Sequence, residues 1–104
     1  MFYTFSQNNS NGRFIHDDNL SIYVIIEADS SEQANNIGIL LGMYFNGVQE
    51  GKDVGSGEDR WTMVTDGTKK PLIYGKPVRR KVRSFSVDKH YVVIHYKNRN
   101  IERI

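Results

Sequence analysis

The sequence predicts an α+β domain: a single helix packed on a mostly antiparallel β-sheet. Three observations predict it. Asp29 to Gly47 has helical apolar spacing with both ends marked. Short segments of alternating side chains lie on either side of it in the chain. Gly, Asn, Asp and Pro signals separate those segments, so the order is strands, one helix, then strands. At 104 residues the chain forms one domain, 1–104, with a single modest core.

Phe2-Tyr-Thr-Phe5 reads as a short strand, and Gln7-Asn-Asn-Ser-Asn-Gly12 breaks it with residues that make local hydrogen bonds or tolerate positive φ. Arg13-Phe-Ile-His16 is compatible with continuing the ribbon, and Asp17-Asp18-Asn19 turns it. Leu20 to Ala28 is the clearest strand. Leu20, Ile22, Val24, Ile26 and Ala28 share one face, expected to meet the helix. Ser21, Tyr23, Ile25 and Glu27 share the other, which is apolar enough to need cover of its own.

Ser30 can cap the helix with Gln33 as its capping-box partner, and Asp29 with Glu32 offers the same pair one residue earlier. Ala34, Ile37, Leu41, Phe45 and Val48 form the apolar stripe, and Gly47 suits the left-handed position after the last turn. Ile39, Leu40 and Met43 fall off the stripe. They are either covered by other segments or form a self-association face that would support a homodimer. Gly38 and Gly42, four apart, suit close approach of another segment.

Gly47 to Asp59 is a glycine-rich loop. Arg60 to Thr65 alternates as a strand with Trp61, Met63 and Thr65 on one side, and Asp66-Gly67 is a turn. Pro71 and Pro77 bracket Leu72-Ile-Tyr74, which fits an edge segment. Val78 to Val87 and His90 to Tyr96 read as a hairpin turning at Asp88-Lys89. Lys97-Asn-Arg-Asn100 turns again before Ile101 to Ile104, a last short strand or a tail.

Cysteine is absent, which removes disulfides and thiolate metal sites. Neither a signal peptide nor a membrane span is expected, since no apolar run is long enough. The net charge of +2 hides a split. Two bases and nine acids lie in residues 1–59, twelve bases and three acids in 60–104. Such a division means either halves that attract each other or surfaces of opposite sign.

The strongest local signal for binding is the basic run Lys69, Lys70, Lys76, Arg79, Arg80, Lys81 and Arg83, with Tyr74 and Phe85 interleaved and no acid from Gly67 to Val87. Lysine and arginine neutralise phosphates and aromatic rings stack on bases, so nucleic acid is one partner. An acidic protein is another, and a solvated edge strand is the plainest reading. Arg60-Trp61 has the composition of an interface anchor, although tryptophan more often anchors a core. His90 and His95, five apart on a strand, are expected to point to opposite faces and so not to chelate one metal, and the acids of 53–59 lack a calcium loop's spacing, so neither a metal nor a cofactor is expected. With no phosphate loop, no nucleophile elbow and no cysteine, the chain reads as non-enzymatic.

Tyr3-Thr-Phe-Ser-Gln-Asn-Asn-Ser10, Tyr23-Val-Ile-Ile-Glu-Ala28, Met43-Tyr-Phe-Asn-Gly47, Asp59-Arg-Trp61 and Ile73-Tyr-Gly75 occur in an order and spacing that resembles a family of small proteins of tailed phages and prophages, over roughly residues 1–78. Members of that family often carry a cysteine cluster just before the Asp-Arg-Trp. Here that stretch is Asp53-Val-Gly-Ser-Gly-Glu58, and no metal is carried across. The resemblance implies a phage-encoded accessory protein of the host cytoplasm. Joined to the absent catalytic set, it predicts a binder of a host macromolecule, such as an inhibitor of a host defence or regulatory protein. A nucleic-acid module using residues 69–83 is the first alternative. A small-ligand binder using the Gln7–Asn11 and Arg60–Trp61 loops is the second.

Overall fold

The computed structural model describes residues 1–8, 14–53, 58–78 and 90–104. Its elements are β1 (Phe2–Ser6), β2 (Tyr23–Glu27), α1 (Ser31–Leu41), β3 (Leu72–Ile73), β4 (Lys76–Pro77), β5 (Val92–His95) and β6 (Ile101–Arg103). A four-stranded sheet runs β1-β2-β5-β6, and β3 with β4 forms a separate two-stranded hairpin. Within the larger sheet β1–β2 and β5–β6 pair antiparallel, while β2–β5 pairs parallel. The fold is α+β with one helix among the described residues, as its sequence predicts.

The central strand β2 buries Val24, Ile25 and Ile26, because both of its faces are covered. Val24, Ile26 and Ala28 join Tyr3, Phe5, Ala34, Phe45 and Trp61 in the core under the helix. Ile25 packs with Val92 and Ile94 on the opposite face, where Ile73 and Val78 close over them. The expected division of side chains between the two faces is therefore the observed one.

Ser30 caps α1: its hydroxyl accepts from Gln33 N at 3.1 Å, and Gln33 Oε1 reaches back to Asp29 N at 2.6 Å. The helix is shorter than its apolar stripe. Gly42 takes φ 114° and donates to Ile39 O at 3.1 Å, and Met43 N donates to Gly38 O at 2.9 Å. These two bonds close a left-handed stop at Gly42, five residues before the expected one at Gly47. Phe45 still enters the core, stacked on Phe5 at 6.0 Å, but from the loop, and Val48 is exposed. Gly38 leaves room for the returning chain, since a Cβ there would lie 2.8 Å from Met43 Sδ.

No strand forms over Arg60 to Thr65. The Asn35 side chain brackets Val64 instead, donating to its carbonyl at 3.0 Å and accepting from its N–H at 2.9 Å. One side-chain amide thus replaces a neighbouring strand, and Trp61 and Met63 part ways: Trp61 is fully buried while Met63 is 55% exposed. Residues 14–16 do not extend β1 either. Of the expected 78–87 strand, residues 79–87 lie outside the described ones, as does the expected turn at Asp88-Lys89.

Candidate partner-binding surface

The β3–β4 hairpin and the bend just before it carry the described part of the basic run, Lys76 on the hairpin and Lys69 and Lys70 ahead of it. Ile73 pairs with Lys76, which leaves Tyr74-Gly75 as a two-residue turn with φ of 49° and 76°. Positive φ at both positions is the turn that suits twisted hairpins, and it normally selects Asn-Gly. A tyrosine there works against its own backbone preference. Its ring gains little burial in return, being 79% exposed.

The hairpin is fastened from below. Thr4 Oγ1 donates to Leu72 O at 2.6 Å, and Ile73 packs against the Ile25 cluster. Tyr74 stands edge-on to Tyr23 at 6.0 Å and 90°, and Tyr23 stands edge-on to Tyr91 at 6.5 Å and 88°. Partial burial raises the Tyr23 hydroxyl pKa above its ordinary value, with Tyr74 and Tyr91 adding to the effect. Lys69, Lys70 and Lys76 are all exposed, and none makes an ion pair among the described residues. Arg79, Arg80, Lys81 and Arg83 lie outside the described residues. Tyr23 was not signalled by spacing, because the turn that brings Tyr74 to it is legible only once Ile73 and Lys76 are known to pair.

Arg60 and Trp61 do not extend this surface. Trp61 is fully buried, which corrects its assignment to a partner face; its indole Nε1 has no hydrogen-bond partner among the described residues. Arg60 points inward. Its Nη1 donates to Gln7 Oε1 at 2.8 Å, its Nε donates to Tyr44 Oη at 3.0 Å, and Nε lies 3.7 Å from the buried Asp53 carboxylate. Tyr44 in turn donates to Asp53 at 3.0 Å. Gly47 is needed here, because a Cβ would collide with the Asp53 carboxylate. Gln7 is also spent internally: its amide donates to Ile15 O and Ser21 O and accepts from Ile15 N. Of the polar groups assigned to a small-ligand site, Gln7 and Arg60 thus hold each other, while residues 9–11 lie outside the described ones. Clefts of about 260 and 340 Å³ open elsewhere, one beside Ile37 and His95 and one between Asn35 and Met63.

The helix face is split. Leu40 is 85% and Ile39 51% exposed, but Met43 is buried against Gly38. Met43 therefore leaves the self-association face, since the stop at Gly42 turns it inward.

Among the described residues the acidic and basic halves touch at two ion pairs. Arg60 pairs with Asp53, Lys97 pairs with Asp29, and Lys97 N donates to Glu27 Oε1 at 3.0 Å. Three consecutive carbonyls of the 17–19 turn are held by side chains from the end of the chain. His90 Nε2 donates to Asp17 O at 3.0 Å, Arg103 Nε to Asp18 O at 2.7 Å, and His95 Nε2 to Asn19 O at 2.8 Å. A carbonyl only accepts, so both histidines carry a proton on Nε2. No cluster of three or more metal-ligating side chains occurs among the described residues, and no helix there is long and apolar enough to cross a membrane.

The chain belongs to the family described as a domain of unknown function, DUF7296, whose model matches residues 1–104. No curated protein and no solved structure matches it.

Proposed function

We propose that this chain is a non-enzymatic accessory protein of tailed-phage type that works by binding a negatively charged host macromolecule, and that the β3–β4 hairpin is the part that binds. Inhibiting or redirecting a host defence or regulatory factor in the host cytoplasm is the role this reading fits. One observation carries it: Tyr74 is held solvent-exposed in a left-handed turn between Lys70 and Lys76. No acid occurs from Gly67 to Val78. Local strain kept without a gain in burial is a mark of a working surface. Arg60 and Lys97 help the reading by contrast, since both are spent on carboxylates of the same chain.

The test is capture from host lysate on the tagged full chain, with and without nuclease, beside a folded Lys70→Glu/Lys76→Glu variant. The expected result is a macromolecule retained by the wild type and released by the variant. Equal recovery on both, or none on either, overturns the reading.

A further inference from the structure

We infer that the hairpin binds single-stranded nucleic acid, with an unpaired base stacked on Tyr74 and phosphates met by Lys69, Lys70 and Lys76. This rests on the preceding reading and names the partner's chemistry. A carboxylate-rich protein would be satisfied by lysines alone. Tyrosine also anchors protein partners, but an exposed ring among three lysines, with no acid from Gly67 to Val78, matches a strand that offers one phosphate for every base. A base needs such a ring, because every base has a π-face, and stacking on aromatic side chains with cations tracking the backbone is how single strands are bound without sequence preference.

The ring is also pre-positioned. A two-residue turn fixes its backbone, the Thr4–Leu72 bond fixes the hairpin, and Tyr23 packs against the ring in a T-shaped contact at 6.0 Å. Pre-positioning reduces the ordering cost of binding. Lysines supply point charges without the bidentate fork of arginine, which suits contact to phosphate and not to base edges. A duplex keeps its bases stacked inside and offers no face to Tyr74, so the single strand is preferred.

Tyr74→Asn separates stacking from folding. Asn-Gly is the favoured pair for this turn, so the variant keeps the hairpin and loses only the ring. Fluorescein-labelled 12-mers of oligo(dT) and oligo(U), and a duplex of the same length, are titrated with the full chain by fluorescence anisotropy. The expected result is binding of at least one single strand more tightly than the duplex, an affinity about tenfold or more lower in Tyr74→Asn, and near-wild-type affinity in Tyr74→Phe. The melting temperature of Tyr74→Asn stays equal or rises. Each of Lys70→Gln and Lys76→Gln lowers the slope of log affinity against log salt by about 0.7. Absence of binding to both single strands, equal binding of the duplex, or unchanged affinity in Tyr74→Asn overturns the inference. If no oligonucleotide binds while nuclease-treated lysate still yields a protein that depends on Lys70 and Lys76, this inference falls and the reading beneath it stands. If that dependence is missing too, both fall.

Discussion

Arg60 donates from Nη1 to Oε1 of Gln7 at 2.8 Å, joining residues 53 apart in sequence inside a nearly closed site. The same Gln7 oxygen accepts from Ile15 N at 2.6 Å, and its amide nitrogen donates to Ser21 O at 2.9 Å. One side chain thus ties the end of β1, the approach to β2 and the segment leading into Trp61. Gln7→Leu keeps the volume and removes every one of those bonds. It is expected to lower stability by about 2–3 kcal/mol, the cost of stranding buried polar partners. Urea unfolding with a lowered midpoint and unchanged slope would show it. A loss below half a kilocalorie would mean that water replaces the amide freely.

The stop at Gly42 gives a second test. Its φ of 114° is open to glycine and costly for any residue with a Cβ. Gly42→Ala should therefore destabilise by about 1–2 kcal/mol, although alanine is the better helix former. Gly38→Ala presses on the flexible Met43 thioether at 2.8 Å and makes an ordinary contact with Phe45 at 3.6 Å, and helix propensity offsets the clash. A thermal scan in which Gly38→Ala loses more than Gly42→Ala would reject this account of the helix end.

The same turn decides between Leu40 and Met43. Leu40→Glu places a charge where the side chain is already 85% exposed, and stability should change by no more than about 0.5 kcal/mol. Met43→Glu buries a carboxylate beside Phe45 and Gly38 and should cost about 3 kcal/mol or more. Chemical denaturation of the two variants side by side checks the contrast. Similar losses would mean that Leu40 is covered in solution, which light scattering at rising concentration would then reveal as association.

These residues also show what the sequence carries. The cap at Ser30 and the two faces of β2 were legible, because each follows from spacing within a few residues. The apolar stripe ran on through Phe45 and Val48 since the chain folds back after Gly42 and still delivers Phe45 to the core. Periodicity cannot tell a helix from a return over the same ground. The parallel β2–β5 pairing joins Tyr23 to Val92, and nothing local specifies so distant a partner. At the candidate surface, Lys69, Lys70, Lys76 and Tyr74 were visible as composition. Arg60 was misplaced, and Trp61 left between core and interface, because anchors of both have the same chemistry; for Arg60 only Gln7, Tyr44 and Asp53, gathered from three other segments, show which is present.

His95 links stability to pH. It is buried at the edge of the core, and burial pushes its imidazole pKa below the ordinary 6.5, opposed by the hydrogen bond to Asn19 O and reinforced by the charge of Arg103. The unfolded chain therefore takes up this proton more readily than the folded one. The contribution of His95 to stability is complete above pH 6.5, and it is lost as pH falls from there through the depressed folded value. His95→Gln keeps an Nε2 donor for Asn19 O and cannot titrate. Its unfolding free energy between pH 8 and pH 5 should fall less steeply than that of the wild type, since carboxylates titrate alike in both chains. Unfolding in urea at each pH gives the two curves. Parallel curves would mean that the folded protein accepts a charged His95 as readily as water does, and the clasp on the 17–19 turn would then hold unchanged through acidification.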